Sequence, residues 1–214
     1  MPRIAIINPN SNAAMTRMID RRLDDLRRPG APELVCMTLE EGPPAIETAA
    51  HARQVVAPLR DLVSSLSSHD AIVVGCFSDP GLPELRANTA RPVLGFCEAA
   101  VATAIALGGH FGILTNLDDD IADERVYLAA LGLEERLAGI AAIGVPVSAL
   151  TEKADVPLRM AAAVERLRAL GASSVIMGCA GFSDHAAKLQ RATGMRIIDP
   201  TIAAVAMAIT ALSL

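Results

Sequence analysis

Two cysteines, Cys76 and Cys179, are set apart by their surroundings. Each closes a short, strongly apolar run behind a glycine: Ala71-Ile72-Val73-Val74-Gly75-Cys76 and Ser174-Val175-Ile176-Met177-Gly178-Cys179. Such runs read as buried strands of a parallel sheet, and ligands bind beyond the carboxyl ends of those strands. A thiol there stands at the mouth of a site. The small neighbours Gly75, Gly178, Ala180 and Gly181 let a substrate come close to the backbone. A helix N-terminus just beyond each cysteine would favour the thiolate and draw its pKa below the reference of about 8.5. If the two thiols face each other, one takes a proton from carbon and the other returns one to the opposite face, inverting the centre without a cofactor. One Gly-Cys at a strand end is ordinary core material; two matched ones point to chemistry. Cys36, within a strand, and Cys97, at a helix start, lack the setting and are expected in the core.

Strands alternating with helices must position these thiols. Residues 3–8 form a short apolar strand, and Asn10 or Ser11 can cap the helix marked by Met15, Met18, Ile19, Leu23 and Leu26. Residues 33–39 read as a second strand. From Ile46, the apolar positions Ala49, Ala50, Val56, Leu59, Val63 and Leu66 mark one long helix. Residues 71–75 and 92–95 complete four strands, and the second half repeats the pattern. Residues 111–116 parallel 4–8, 143–147 parallel 33–39, 174–179 parallel 71–76, and 195–199 parallel 92–95. Asn8 precedes Cys76 by 68 positions, and Thr115 precedes Cys179 by 64. The expected fold is α/β: two similar lobes with parallel sheets, related by a pseudo-twofold axis, with the active site in the cleft between them. The first lobe takes residues 1–96 with 200–214, the second 97–199.

Composition narrows the partners. Of 214 residues 52% are apolar, but there are only one Tyr, four Phe and no Trp, so the core must be aliphatic. Scarce aromatics and a net charge of −5 argue against nucleic acid. The N-terminus reads as a strand rather than a targeting segment, and the apolar stretch 202–214 is shorter than the ~20 residues of a membrane span. Four cysteines without a secretion signal suggest thiols in a reducing, cytoplasmic compartment. No cysteine pair has zinc spacing, and His51, His69, His110 and His185 are not at ligand spacing, so no metal is expected.

In nearly its whole length the chain resembles the aspartate/glutamate/hydantoin racemase superfamily. The resemblance is carried by Ile7-Asn8-Pro9-Asn10-Ser11, Gly42-Pro43-Pro44-Ala45-Ile46-Glu47, Gly75-Cys76-Phe77-Ser78-Asp79-Pro80-Gly81-Leu82, Phe111-Gly112-Ile113-Leu114-Thr115, Gly178-Cys179-Ala180-Gly181-Phe182 and Ile198-Asp199-Pro200. Each segment is weak alone; as an ordered set they are specific. The Gly-Pro-x-x-Ile-Glu segment, the Asp-Pro-Gly-Leu after Cys76 and the Gly-Cys-Ala-Gly at Cys179 are most similar to the hydantoin and allantoin racemase branch. The resemblance implies catalytic thiols at Cys76 and Cys179 and no cofactor. It also implies that Asn8, Ser11 and Thr115, with backbone N–H groups of Phe77, Ser78, Ala180 and Gly181, hold the substrate's carbonyls. Such donors would bind charge developing on oxygen. Asn8, Asn10 and Ser11 also suit a turn and cap, and Ser78 and Asp79 suit a turn. The run Asn116-Leu117-Asp118-Asp119-Asp120 departs from the branch, which has a second Thr and Arg/Ser-rich residues there. It reads as a solvated loop and helix start; if the loop instead reaches the cleft, it would disfavour anionic substrates. Asp184 and His185 read as surface residues at a helix start.

The implied function is racemisation of a carbon beside a carbonyl in a small, hydantoin-like substrate. The alternatives are a cofactor-free isomerase of the maleate isomerase kind, a decarboxylase on the same scaffold, or a two-lobed protein that only binds a small ligand. A homo-oligomer is left open, with the alanine-rich C-terminal helix packing between lobes or subunits.

Overall fold

The computed structural model describes residues 1–150 and 153–213. The chain forms two compact units, residues 1–99 with 201–214 and residues 100–200. In the first, β1 (Arg3–Asn8), β2 (Glu33–Thr38), β3 (Ala71–Val74) and β4 (Val93–Gly95) form a parallel sheet in the order β2-β1-β3-β4. Its helices are α1 (Ala13–Arg22), α2 (Ala49–Gln54), α3 (Val56–Ser65) and α4 (Leu82–Ala87). α5 (Phe96–Leu107) leads into the second unit. There β5 (His110–Thr115), β6 (Leu137–Ala142), β7 (Ala172–Met177) and β8 (Arg196–Ile198) pair in the equivalent parallel order β6-β5-β7-β8. α6 (Asp120–Ala130), α7 (Val156–Ala169) and α8 (Ala186–Thr193) belong to it, and α9 (Pro200–Ala211) returns the chain to the first unit.

The two sheets agree bond by bond at the ends that matter. Gly75 N–H donates to the Ile7 carbonyl at 2.8 Å, and Gly178 N–H to the Leu114 carbonyl at 2.7 Å. Leu39 N–H donates to the Asn8 carbonyl, and Ile143 N–H to the Thr115 carbonyl. Asn8 and Thr115 are therefore equivalent, as are Cys76 and Cys179. Each sheet rests on an aliphatic core. In the first unit Ala5, Ile7, Ile72 and Val74 pack with Leu59 and Val63, one turn apart on α3. In the second, α7 lays Met160, Ala163, Val164 and Leu167 on Val175 and Met177, an i, i+3, i+4, i+7 stripe. Burying a side chain of this size contributes about 1.5–3 kcal/mol, which holds the strand ends firmly.

The structure corrects three readings of the sequence. Residues 143–147 are not a strand; the partner of β5 is β6, starting six residues earlier. Its sequence Leu-Ala-Gly-Ile-Ala-Ala is poor in β-branched residues, and at Gly139 a Cβ would stand 2.7 Å from Leu170, the C-cap residue of α7. The more strand-like 143–147 is loop, with Gly144 at φ 69° and Asn116 Nδ2 donating to the Val145 carbonyl at 2.9 Å. The helix expected from Ile46 is two helices, because Pro58 has no N–H for the Gln54 carbonyl and α2 stops there. The cap of α1 is Asn12, whose side chain accepts from Ala14 and Met15 N–H at 3.0 and 3.3 Å. Asn10 and Ser11 lie outside that cap.

Candidate active site

β1 and β3 run side by side, Ile7 beside Val74, so Asn8 and Cys76 leave the same edge of the first sheet. Cys76 opens a tight turn in which Asp79 N–H donates to the Cys76 carbonyl at 3.1 Å. Cys76 is half-buried, and its Sγ lies 3.4 Å from the exposed Ser78 Oγ. Protein packed around the sulfur pushes the Cys76 thiol up; hydrogen bonds from the Ser78 side chain and the Ser78 and Phe77 backbone pull the other way, and nearby Asp79 adds to the rise. The resting thiol is thus protonated. This reverses the acidity expected from the backbone N–H groups, which are present but outweighed by desolvation.

Asp79 is more than a turn residue. It is buried, adopts a left-handed φ of 46°, and its two carboxylate oxygens accept from Cys97 and Glu98 N–H at 3.0 and 2.9 Å. It thereby caps the first turn of α5 and ties the Cys76 loop to that helix. A side chain at Gly95 would collide with this carboxylate. Phe77 is buried.

Asn8 is engaged within the first unit. Its Nδ2 donates to Asn10 Oδ1 (2.9 Å), the Asn12 carbonyl (3.1 Å) and Thr16 Oγ1 (3.0 Å), and its Oδ1 accepts from Asn10 N–H (3.3 Å). The Asn8 amide shapes the loop in which Ser11 is held by its N–H to the Pro43 carbonyl at 3.0 Å. Its amide donors are already in use, which weighs against the expected carbonyl-holding role.

In the second unit, β5 and β7 place Thr115 beside the Gly178–Cys179 strand end in the same way. Cys179 is extended (φ −147°, ψ 135°) and precedes a 3-10 turn, Ala180–His185, whose Phe182 N–H donates to the Cys179 carbonyl at 3.1 Å. Ala180 and Gly181 are buried, and Ser183 Oγ donates to Asp199 at 3.1 Å. Asp184 is exposed and His185 half-buried at the start of α8. Cys36 and Cys97 stand elsewhere. Cys97 is buried as expected, but Cys36 is only partly buried, and desolvation, aided by Asp20, pushes it up to about 12.

Glu124, on α6, escaped notice in the sequence. Its Oε1 lies 2.7 Å from Thr115 Oγ1, while its buried Oε2 has no hydrogen-bond partner among the described residues. Burial, reinforced by the charge of Asp120 and opposed by the Thr115 hydrogen bond, pushes its carboxyl up to about 8. The acidic loop before it does start a helix: Asp120 opens α6 and its carboxylate accepts from Leu117 N–H at 2.9 Å. A cavity of about 410 Å³ along β6, lined by Asp118, Ile140 and Arg166 among others, includes none of the expected site residues. Among the described residues, no group of three or more His, Cys, Asp or Glu side chains is placed to hold a metal ion, and no helix is long and apolar enough to cross a membrane.

Parallel order and repeated sheets, with a Gly-Cys at each equivalent strand end, define a two-unit α/β fold, and comparison with known proteins shows the family in which it occurs. The profile of the Asp/Glu/Hydantoin racemase family matches residues 4–208. A hydantoin racemase of Rhizobium meliloti is 33% identical over 210 residues, covering 96% of this chain and 86% of that one. Allantoin racemase from Klebsiella pneumoniae superposes with a TM-score of 0.92 at 28% identity, covering 100% of this chain and 88% of that one. Allantoin racemase from Pseudomonas fluorescens gives 0.92 at 26%, covering 99% and 91%. The chain belongs to the Asp/Glu/hydantoin racemase family. It is an isomerase, a racemase acting on a small molecule.

Proposed function

We propose that this racemase inverts a carbon beside a carbonyl in a hydantoin-like ring, using Cys76 and Cys179 as its two acid/base groups and no cofactor. The observation that carries this reading is the equivalence of the two Gly-Cys strand ends, one in each unit, with matching bonds from Gly75 and Gly178. Thiols suit the task because a carbonyl next to the carbon spreads the carbanion's charge onto oxygen, so a base of ordinary thiol strength suffices. One cysteine starts as the thiolate and takes the substrate proton, becoming a thiol; the opposite thiol gives its proton to the other face and is left as the thiolate. The next turnover then runs from the other enantiomer with the roles exchanged. Backbone N–H groups after each cysteine and the Thr115 hydroxyl stabilise the enolate oxygen. Hydantoin and allantoin racemases among the relatives favour a ring imide or ureide as the substrate class. A net charge of −5 and four unbridged cysteines suit a cytoplasmic enzyme with no nucleic-acid partner.

The test is C76S and C179S, assayed by optical rotation and by α-proton exchange in deuterium oxide. Each variant is expected to lose racemisation by at least about 10²-fold. Each retains exchange, with configuration kept, for one enantiomer, and the two variants prefer opposite enantiomers. Near wild-type racemisation by either variant rejects the two-thiol assignment; a change in substrate mass moves the reaction to decarboxylation.

A further inference from the structure

The Thr115–Glu124 pair sits where the proposed chemistry needs a hydrogen-bond donor, yet it is built unlike a surface ion pair. Thr115 is 2% exposed, and Glu124 Oε1 is 2.7 Å from its hydroxyl oxygen. The carboxyl also backs onto the bare face of Gly178: a Cβ there would stand 3.4 Å from Glu124 Oε1 and 2.7 Å from the Leu114 carbonyl oxygen. Gly178 therefore makes room for the carboxyl one residue before Cys179. We propose that Glu124 is a positioning residue for racemisation, a neutral carboxylic acid that donates its O–H to Thr115 Oγ1 and so leaves the Thr115 hydroxyl proton to meet negative charge growing on a substrate oxygen.

Three observations support this, given the two-thiol reading on which it rests. A buried neutral carboxyl must place its O–H on an acceptor, because an orphaned buried donor is rarer and costlier than an orphaned acceptor. At 2.7 Å the Thr115 hydroxyl can donate to Glu124 Oε1 when the carboxyl is ionised; once the acid is neutral, only the reverse direction, Oε1–H donating to Thr115 Oγ1, leaves no buried O–H orphaned, and the unpartnered Oε2 is then the carbonyl oxygen. Burial also holds the carboxyl up to about 8, so it is mostly protonated at neutral pH. The surroundings do not offset this. On its own helix the acting charge is Asp120, which raises it further; Asp120 Oδ2 is 3.5 Å from Thr115 Oγ1 and already accepts from Leu117 N–H. Thr115 ends β5 and Gly178 follows β7, neither ionisable, and Cys179 is the next residue of the chain. β6 carries no ionisable side chain. In the 3-10 turn Glu134–Arg136, Glu134 faces Arg125 at 3.8 Å. A chain of two aligned hydrogen bonds polarises each member, so the Thr115 O–H becomes a stronger donor as charge develops. No proton is transferred: the Glu124 O–H stays on Glu124 and the Thr115 O–H stays on Thr115.

The experiment uses the full-length enzyme and a racemisable hydantoin, with E124A, E124Q, T115V and the double variant E124A/T115V. T115V is expected to lower kcat on the order of 10²-fold with KM little changed, the mark of an interaction made in the transition state. E124A should lower kcat about tenfold, and the double variant should be no worse than T115V, because Glu124 acts only through Thr115. E124Q, whose amide N–H can still donate to Thr115, should recover most of the E124A loss. Wild-type kcat should fall as pH rises past about 8, with that limb absent in E124Q. Additive losses in the double variant, or an E124Q as impaired as E124A while both melt like wild type, overturn the proposal. An E124A that does not fold leaves the E124Q pH profile to decide: an unchanged alkaline limb overturns it. C76S and C179S run in parallel separate the two readings. If they racemise normally, the two-thiol reading has failed; if they are inactive while the Glu124 tests come out negative, only the Glu124 role has.

Discussion

Burial lifts the Glu124 carboxyl from an ordinary 4.5 to about 8, and that displacement has a cost in stability as well as a use in catalysis. The folded state holds the proton more tightly than the unfolded state. Its favourable contribution is present in full below about 4.5 and is lost as pH rises through about 8. Between those limits one group can contribute a slope of up to about 1.4 kcal/mol per pH unit. Urea titrations at several pH values should therefore show wild type losing ground to E124Q as pH rises through this window; a constant difference would mean that the carboxyl ionises in place without penalty. The paired cysteines were legible in the sequence because a Gly-Cys closing an apolar run is a local signal. Glu124 and Asp79 were not, since their partners lie 9 and 18–19 residues away and only the fold joins them. The acidity expected for the thiols failed at Cys76 for a related reason: the helpful N–H groups are local, but the desolvation comes from the whole surrounding chain.

Elements carry their own test in Asp79. Its carboxylate supplies acceptors to two N–H groups in the first turn of α5, which otherwise have no intrahelical partner. D79A should lower stability by about 1–3 kcal/mol, read from chemical denaturation, and D79N by less because one acceptor remains. Equal stability of D79A and wild type would show that water caps α5 as well as Asp79 does. The strands β1, β3, β5 and β7 could be read directly, because central parallel strands are continuous apolar runs. The edge strand β6 could not, since it is poor in β-branched residues and its Gly139 leaves room for the Leu170 side chain rather than meeting a strand preference. The same context split the expected long helix: apolar spacing continued past Gln54, but Pro58 withdrew a backbone donor.

At the level of the whole chain, the α/β class with two repeated parallel sheets was legible from the order of segments alone, despite little identity between the halves, because equivalent strands keep equivalent spacing. The repeat predicts how the molecule opens. Native-state hydrogen exchange should find the slowest amides in Ile4, Ile6, Ile72 and Val73 and in Ile113, Val175 and Ile176, all fully buried, with the three-residue strands β4 and β8 exchanging sooner. Uniform exchange across each sheet would contradict this. The division of the chain also bears on its synthesis. Residues 100–200 are contiguous, whereas the first unit is assembled from residues 1–99 and 201–214, with Ala204, Val205 and Ala208 of α9 completely buried. On the ribosome, which adds roughly 5–20 residues per second, the inserted unit is whole before the one that began earlier. Residues 1–99 must wait, with apolar surface uncovered, for α9 to emerge, so they stay open to nascent-chain aggregation and chaperone capture for longer than residues 100–200 do.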